Sequence, residues 1–283
     1  MLNRRNFLRT LAAGSTLFSI DPMAAFSNIN TENNIYSGMP GSNICKDPYR
    51  LPVWKDVDVI VVGATCGGVA AAIAAAKTGS RVFVISSFPY PGEDICGSFM
   101  YWQEKNSSKS ELFNRLFPGR VAPYPLHVKS VLENEMIRHQ VEFLYSSFAT
   151  HLVVDEHQQP AGICIANRSG SQLIRGKVII DATHHAIVAR LAGVPFHPFK
   201  PGIHRFIFTV IGNAVKQHPA IHDTKEIYPA FNVDNRSLKA LKYTIELPLQ
   251  NESYHALMEA EQIIRDITWD VDQGDSSDIP YCI

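Results

Sequence analysis

The chain has no CxxC pair and no cluster of His and Cys at metal-ligand spacing. Its five cysteines, Cys45, Cys66, Cys96, Cys164 and Cys282, are scattered, so neither a zinc site nor a disulfide framework is expected and the thiols are read as mostly free. Charge of one sign is also missing. With 26 Lys+Arg against 27 Asp+Glu, a net charge of −1 leaves nothing to neutralise the phosphates of a nucleic acid or an anionic membrane. The apolar run at residues 11–20, LAAGSTLFSI, is too short to span a bilayer. No P-loop lysine, Ser/His/Asp set, carboxylate pair at catalytic spacing or internal repeat is found. What the chain does have is 46% hydrophobic residues in a length of 283, enough for one large domain or two small ones.

At the N-terminus, NRRNFLR (residues 3–9) sets Arg4 and Arg5 just ahead of Phe7 and Leu8. This resembles a twin-arginine export signal, which implies a periplasmic or otherwise exported chain with the twin-arginine machinery as a partner and no membrane span in its mature form. The alternative is a basic N-terminal helix of a cytosolic protein. The signal is assigned to residues 1–25 and a surface linker, rich in Asn, Ser, Gly and Pro, to residues 26–55.

The fold is expected to begin near Asp56. DVDVIVVG (56–63) and RVFVIS (81–86) are β-branched apolar runs on either side of an alanine-rich segment, 67–78. A crossover of that length between buried strands predicts a parallel pair. LHVKSVLENEMIRH (126–139) predicts a helix with Leu126, Val128, Val131, Leu132 and Met136 on one side. VEFLYS (141–146), ATHLVVDE (149–156) and PAGICIAN (160–167) predict strands, the last two a hairpin. KVIIDAT (177–183) suits a strand covered on both faces, and HHAIVARLAG a short helix stopped by Gly193 and Pro195. HRFIFTVIGN (204–213) and KYTIELPL (242–249) predict a second, antiparallel layer, ESYHALMEAEQIIRDITWD (252–270) a helix, and the final PYCI no clear element.

The chemistry concentrates in GATCGG (63–68). Between a buried strand and a helix, glycines let the backbone turn sharply, and free N–H groups at the helix start attract a dinucleotide's diphosphate. In a G-x-G-x-x-G reading Gly63 makes the turn, Thr65 stands at the point of closest approach and Gly68 packs helix on strand. Ala64, Cys66 and Gly67 complete the approach. An acid usually ends the second strand to hold ribose; here Ser86 ends it, and Glu93 and Asp94 are either substitutes for that acid or exposed loop acids.

GATCGGVAAAIAAAKTGSRVFVIS, VEFLYSSFATHLVVDE, PAGICIANRSG and KVIIDATHHAIVARLAGVPF, in that order over about residues 56–213, resemble the N-terminal half of FAD-dependent oxidoreductases of the glutathione-reductase-like superfamily. The resemblance implies a Rossmann-like α/β FAD/NAD(P)-binding domain with a parallel sheet and a hairpin or meander insertion over residues 56–200, then a partial α+β substrate domain over 201–283. It implies FAD at the glycine loop, Ser86 in place of the ribose acid, Gly92 where the chain passes the flavin, and backbone at Phe148 and Ala149 against adenine. Asp181, Ala182 and Thr183 match the D-A-T beside the cofactor, and Thr183 is placed to reach a phosphate or ribose oxygen. His184, His185 and Ala186 replace G-D-G. Adjacent histidines on a helix face different ways, so a shared metal is not expected; they are read as helix-start residues, one partly packed and one exposed. The family's C-terminal segment that completes the flavin site is not visible.

Three functions fit this pattern. One is an FAD-dependent oxidoreductase in which the flavin carries a hydride to or from a small-molecule substrate. Another is a reduced or truncated relative that keeps the fold as a non-catalytic binding or structural module. The third is an NAD(P)-dependent reductase.

Overall fold

The computed structural model describes residues 51–99, 110–118, 124–233, 236–278 and 280–282. The expected export signal, Cys45 and the expected linker up to residue 50 lie outside the described residues. Strand β1 (Val53–Val62) starts three residues before Asp56 and leads through the glycine loop into helix α1 (Cys66–Lys77) and strand β2 (Val82–Ile85). β1 and β2 pair in parallel, Val59 with Val82 and Val62 with Ile85. After β2 come three helices, α2 (Glu93–Cys96), α3 (Glu111–Leu116) and α4 (Pro125–Arg138), of which only α4 is visible in the sequence period. Strands β3 (Glu142–Leu144), β4 (Phe148–Val154), β5 (Pro160–Asn167) and β6 (Gly170–Asp181) then complete a six-stranded sheet in the order β3-β2-β1-β6-β5-β4. Its β3, β2, β1 and β6 are parallel, while β4, β5 and β6 form the antiparallel meander.

β1 needs no alternation because both faces of it are covered. Val59 and Val61 pack with Val69, Ala72 and Ile73 of α1 and with Val128, Leu132 and Met136 of α4. Val57, Ile60 and Val62 turn to the other face, among Leu152, Ile163, Ile165 and Ile174. Helix α4 corrects one expectation: Leu126 is 76% exposed. At 100° per residue the buried stripe through Val128, Leu132, Glu135 and Met136 leaves Leu126 on the opposite side of the helix. A second correction falls on β6, where Val178 is 51% exposed, so the far end of this strand is not covered on both faces.

Helix α5 (Ile187–Leu191) ends before Gly193 as its sequence implies. The second sheet follows, built from β7 (Gly202–Gly212), β8 (Ile221–Val233) and β9 (Arg236–Leu249), with helix α6 (Tyr254–Thr268) and the short β10 (Asp275–Ser276) and β11 (Tyr281–Cys282). β9 lies between β7 and β8, antiparallel to both. Ala260 and Ile264 of α6 close over Phe206, Phe208, Tyr243 and Ile245. The final PYCI does contribute an element, since β11 pairs with β7. Ile211, Leu238 and Ala240 join the core that holds Val59, Val61, Val69 and Leu132, so the two sheets share one apolar interior.

Candidate cofactor site

The loop between β1 and α1 is a close-packed backbone crossing. Gly63 has φ +102, and a Cβ there would stand 2.5 Å from the carbonyl oxygen of Ala182. A Cβ on Gly68 would stand 2.1 Å from the carbonyl oxygen of Gly63. Only glycine permits either approach, so the spacing that suggested a nucleotide loop is enforced by the fold. Ala182, directly after β6, is the residue against which the loop is pressed; its amide donates to the Val62 carbonyl at 2.8 Å. Sequence reasoning placed Gly63, Gly68 and Ala182 in one site, and the structure brings them together.

Thr65 is the N-cap of α1. Its Oγ1 accepts from the Gly68 amide at 2.9 Å and donates to the Ala182 carbonyl at 3.1 Å. The residue that replaces a glycine therefore turns its side chain inward, under the loop, where it is 8% exposed. Gly67 is exposed at the helix start, and Ala64 is fully buried.

The Cys66 amide, which points out of the helix start, is held by Asp94. Both carboxylate oxygens accept from it, at 3.0 and 3.1 Å. The Gly92 amide donates to the Ala64 carbonyl at 2.7 Å, so the turn carrying Asp94 is fastened to the loop by backbone as well. Gly92 has φ +78, and a Cβ there would meet Leu132 Cδ1 at 2.7 Å. Glu93 is 3% exposed, and its Oε2 has no hydrogen-bond partner among the described residues. Burial pushes its carboxyl up to about 7, helped by the charge of Asp94 and opposed by the amides of Glu93 itself and Ala64. The expectation that Glu93 and Asp94 are exposed loop acids or ribose ligands is thus corrected: one is buried beside the loop and the other caps the helix. Burial and the neighbouring Asp94 carboxylate also raise the Cys66 thiol far above the ordinary range, so it is not a nucleophile.

The remaining sequence candidates are occupied locally. Ser86, 1% exposed, accepts the Phe88 amide on its hydroxyl at 3.1 Å. The Thr183 hydroxyl donates to Asp181 Oδ1 at 2.7 Å and accepts the Ile187 amide at 2.8 Å. The other oxygen of Asp181 accepts the Ala189 amide at 3.0 Å, so the D-A-T segment caps α5. This corrects the view of Thr183 as a hydroxyl available to a phosphate. Ala149 lies on β4, an edge strand of the sheet, paired with Ile165 on its inner side. His184 and His185 precede α5; both reach solvent, and His185 is packed closely enough that burial, with the His184 and Arg190 charges, holds its pKa below the usual histidine value. Among the described residues no group of three or more His, Cys, Asp or Glu side chains is placed to hold a metal ion, and no helix is long and apolar enough to cross a membrane.

A parallel β-α-β unit whose glycine loop is pressed against the end of a third parallel strand defines the dinucleotide-binding class of α/β fold. A family model described as FAD dependent oxidoreductase matches residues 58–202, just over half of the chain, and the chain belongs to that family. FAD is its cofactor. Among solved structures, AlpK is 14% identical over 81% of this chain and 53% of its own, with a TM-score of 0.48. OxyS anhydrotetracycline hydroxylase from Streptomyces rimosus is 13% identical over 81% and 52%, with a TM-score of 0.46. A geranylgeranyl bacteriochlorophyll reductase-like protein from Thermoplasma acidophilum is 17% identical over 81% and 66%, with a TM-score of 0.45. The chain spans about half the length of the first two, and none of the three says what it acts on. No curated protein matches the chain.

The frame fits an FAD, because the Gly63, Gly68 and Ala182 approach is the one a dinucleotide loop requires. At the helix start the Cys66 amide is held by Asp94.

Proposed function

We propose that this chain is an exported FAD-dependent oxidoreductase that moves a hydride between a small-molecule substrate and non-covalently held flavin. Bound flavin supplies the two-electron chemistry. The protein's own share is binding and orientation: the loop Gly63–Gly68 and the start of α1 face the diphosphate, with Ala182 behind the loop. Gly92, Ser86, Thr183 and the β4 edge at Ala149 border the site. Charge on the ligand is met by backbone N–H groups and the α1 dipole, not by a lysine or arginine. The observation carrying this reading is the enforced contact of Gly63, Gly68 and Ala182 within the stretch that the family match covers. Arg4, Arg5, Phe7 and Leu8 support export.

The test is the visible spectrum of the purified full chain after incubation with FAD and removal of free ligand. Retained flavin absorbance near about 450 nm that bleaches with a reducing substrate supports the proposal. A chain that retains no flavin contradicts it. That outcome favours the second reading, a cofactor-free module, for which the local use of Asp94, Ser86 and Thr183 is the supporting observation.

A further inference from the structure

We infer that Asp94 is an internal occupant of the anion seat, an autoinhibitory carboxylate that must leave the Cys66 amide before a diphosphate can enter. This rests on the reading that FAD is the ligand of the loop.

The geometry supplies the argument. Helix α1 has 12 residues, and its first turn offers the amides of Cys66, Gly67 and Gly68. Thr65 holds that of Gly68, and Asp94 holds that of Cys66 with both of its oxygens. A helix N-terminus stabilises whatever anion reaches it, and the side chain that reaches it here comes from the same chain, 28 residues away. A phosphate group cannot share a single N–H with a carboxylate, because like charges a few ångströms apart repel strongly out of bulk water. The adjacent Glu93 places a second carboxyl beside the loop. It is 3% exposed, and its Oε2 has no partner among the described residues. Whenever that carboxyl is ionised it adds to the repulsion that a diphosphate meets from Asp94.

The 92–96 turn is also attached to the second sheet. The Asp278 amide donates to the Gly97 carbonyl at 2.7 Å, the Ser277 hydroxyl donates to the Ser98 carbonyl at 3.3 Å, and the Tyr90 hydroxyl bonds the Asp278 carboxylate. These bonds, at residues 90, 97 and 98, tie both flanks of the turn to the segment that follows β10. The occupant that Asp94 excludes is a phosphate-bearing ligand; a flavin without phosphates has no quarrel with it.

The test titrates wild type, Asp94→Asn and Asp94→Ser with FAD, ADP and riboflavin by calorimetry, alongside ligand-free and ligand-bound melting curves. Asp94→Ser keeps a small neutral acceptor for the Cys66 amide, so it serves if Asp94→Asn does not fold. The inference expects lower ligand-free melting temperatures in the variants, and FAD and ADP affinities at least about tenfold tighter than wild type, with riboflavin unchanged. Wild-type binding of FAD with no gain in either variant overturns the inference and leaves the FAD reading intact. An equal gain for riboflavin also overturns it. If neither wild type nor variants bind FAD or ADP, both the inference and the FAD reading fall.

Discussion

Thr65 Oγ1 bridges two strands of backbone at once, accepting from the Gly68 amide at 2.9 Å and donating to the Ala182 carbonyl at 3.1 Å. This hydroxyl does the work of an N-cap and a latch between the loop and the end of β6. Replacing Thr65 by the near-isosteric valine takes this partner from the buried Gly68 amide and the half-buried Ala182 carbonyl, and the expected loss is about 2 kcal/mol. Thr65→Ser, which keeps the hydroxyl, should lose much less. Urea unfolding of the two variants separates the outcomes: equal stability would show that the hydroxyl bonds contribute nothing net.

The three glycines of the loop are not equivalent. At Gly68 an added Cβ meets the Gly63 carbonyl oxygen at 2.1 Å, whereas at Gly67 the nearest atom is Thr65 Oγ1 at 3.8 Å. Gly68→Ala should therefore destabilise by about 3 kcal/mol or more, because backbone must shift to make room. Gly67→Ala, exposed and helical, should be neutral or stabilise by up to about 1 kcal/mol. Thermal melting of both checks the contrast, and similar melting temperatures would contradict the packing described here.

Glu93 gives the fold a pH dependence. Its carboxyl is pushed up to about 7 by burial and by Asp94, with Tyr90, Tyr145 and Cys66 also close enough to feel its charge. The folded chain keeps the proton where the unfolded chain has lost it, so the stability is fully present below the unfolded value and is lost as pH rises through about 7. Glu93→Gln removes that loss. The variant should match wild type near pH 4.5 and exceed it by about 3 kcal/mol at pH 8, an order-of-magnitude figure from 1.36 kcal/mol per unit. A constant difference between the two across this range would mean that Glu93 does not titrate in the folded chain.

Asp181 shows how the D-A-T segment is used. One oxygen accepts the Thr183 amide and hydroxyl, and the other accepts the Ala189 amide. Asp181→Ala should cost about 2 kcal/mol and loosen α5 locally. Amide hydrogen exchange at Ile187–Leu191 should accelerate while exchange in β1 stays slow. Unchanged exchange in α5 would show that the cap is dispensable.

Much of the fold was legible because the buried strands carry long apolar runs that no helix interrupts. DVDVIVVG, RVFVIS and KVIIDAT became β1, β2 and the end of β6, and the helix expected over 252–270 became Tyr254–Thr268, capped by Ser253. β8 was missed because IHDTKEIYPAFNV mixes charges and a proline with its apolar residues, which hides the period of two. Leu126 was misplaced because apolar character alone assigned it to the buried side of α4. At the site, the spacing of Gly63 and Gly68 carried the loop, while the function of Asp94 was invisible: its contact with Cys66 depends on how the 92–96 turn folds back. The only local sign was the acid pair Glu93 and Asp94 directly after Gly92.

The most direct measurement of the account is an amide NMR titration of the full chain with FAD, in wild type and Asp94→Asn. The amides of Ala64, Cys66, Gly67 and Glu93, together with that of residue 94, should shift and saturate together as FAD binds. FAD that binds while these amides stay unmoved, or a failure of both forms to bind it, would contradict a flavin seated at the glycine loop.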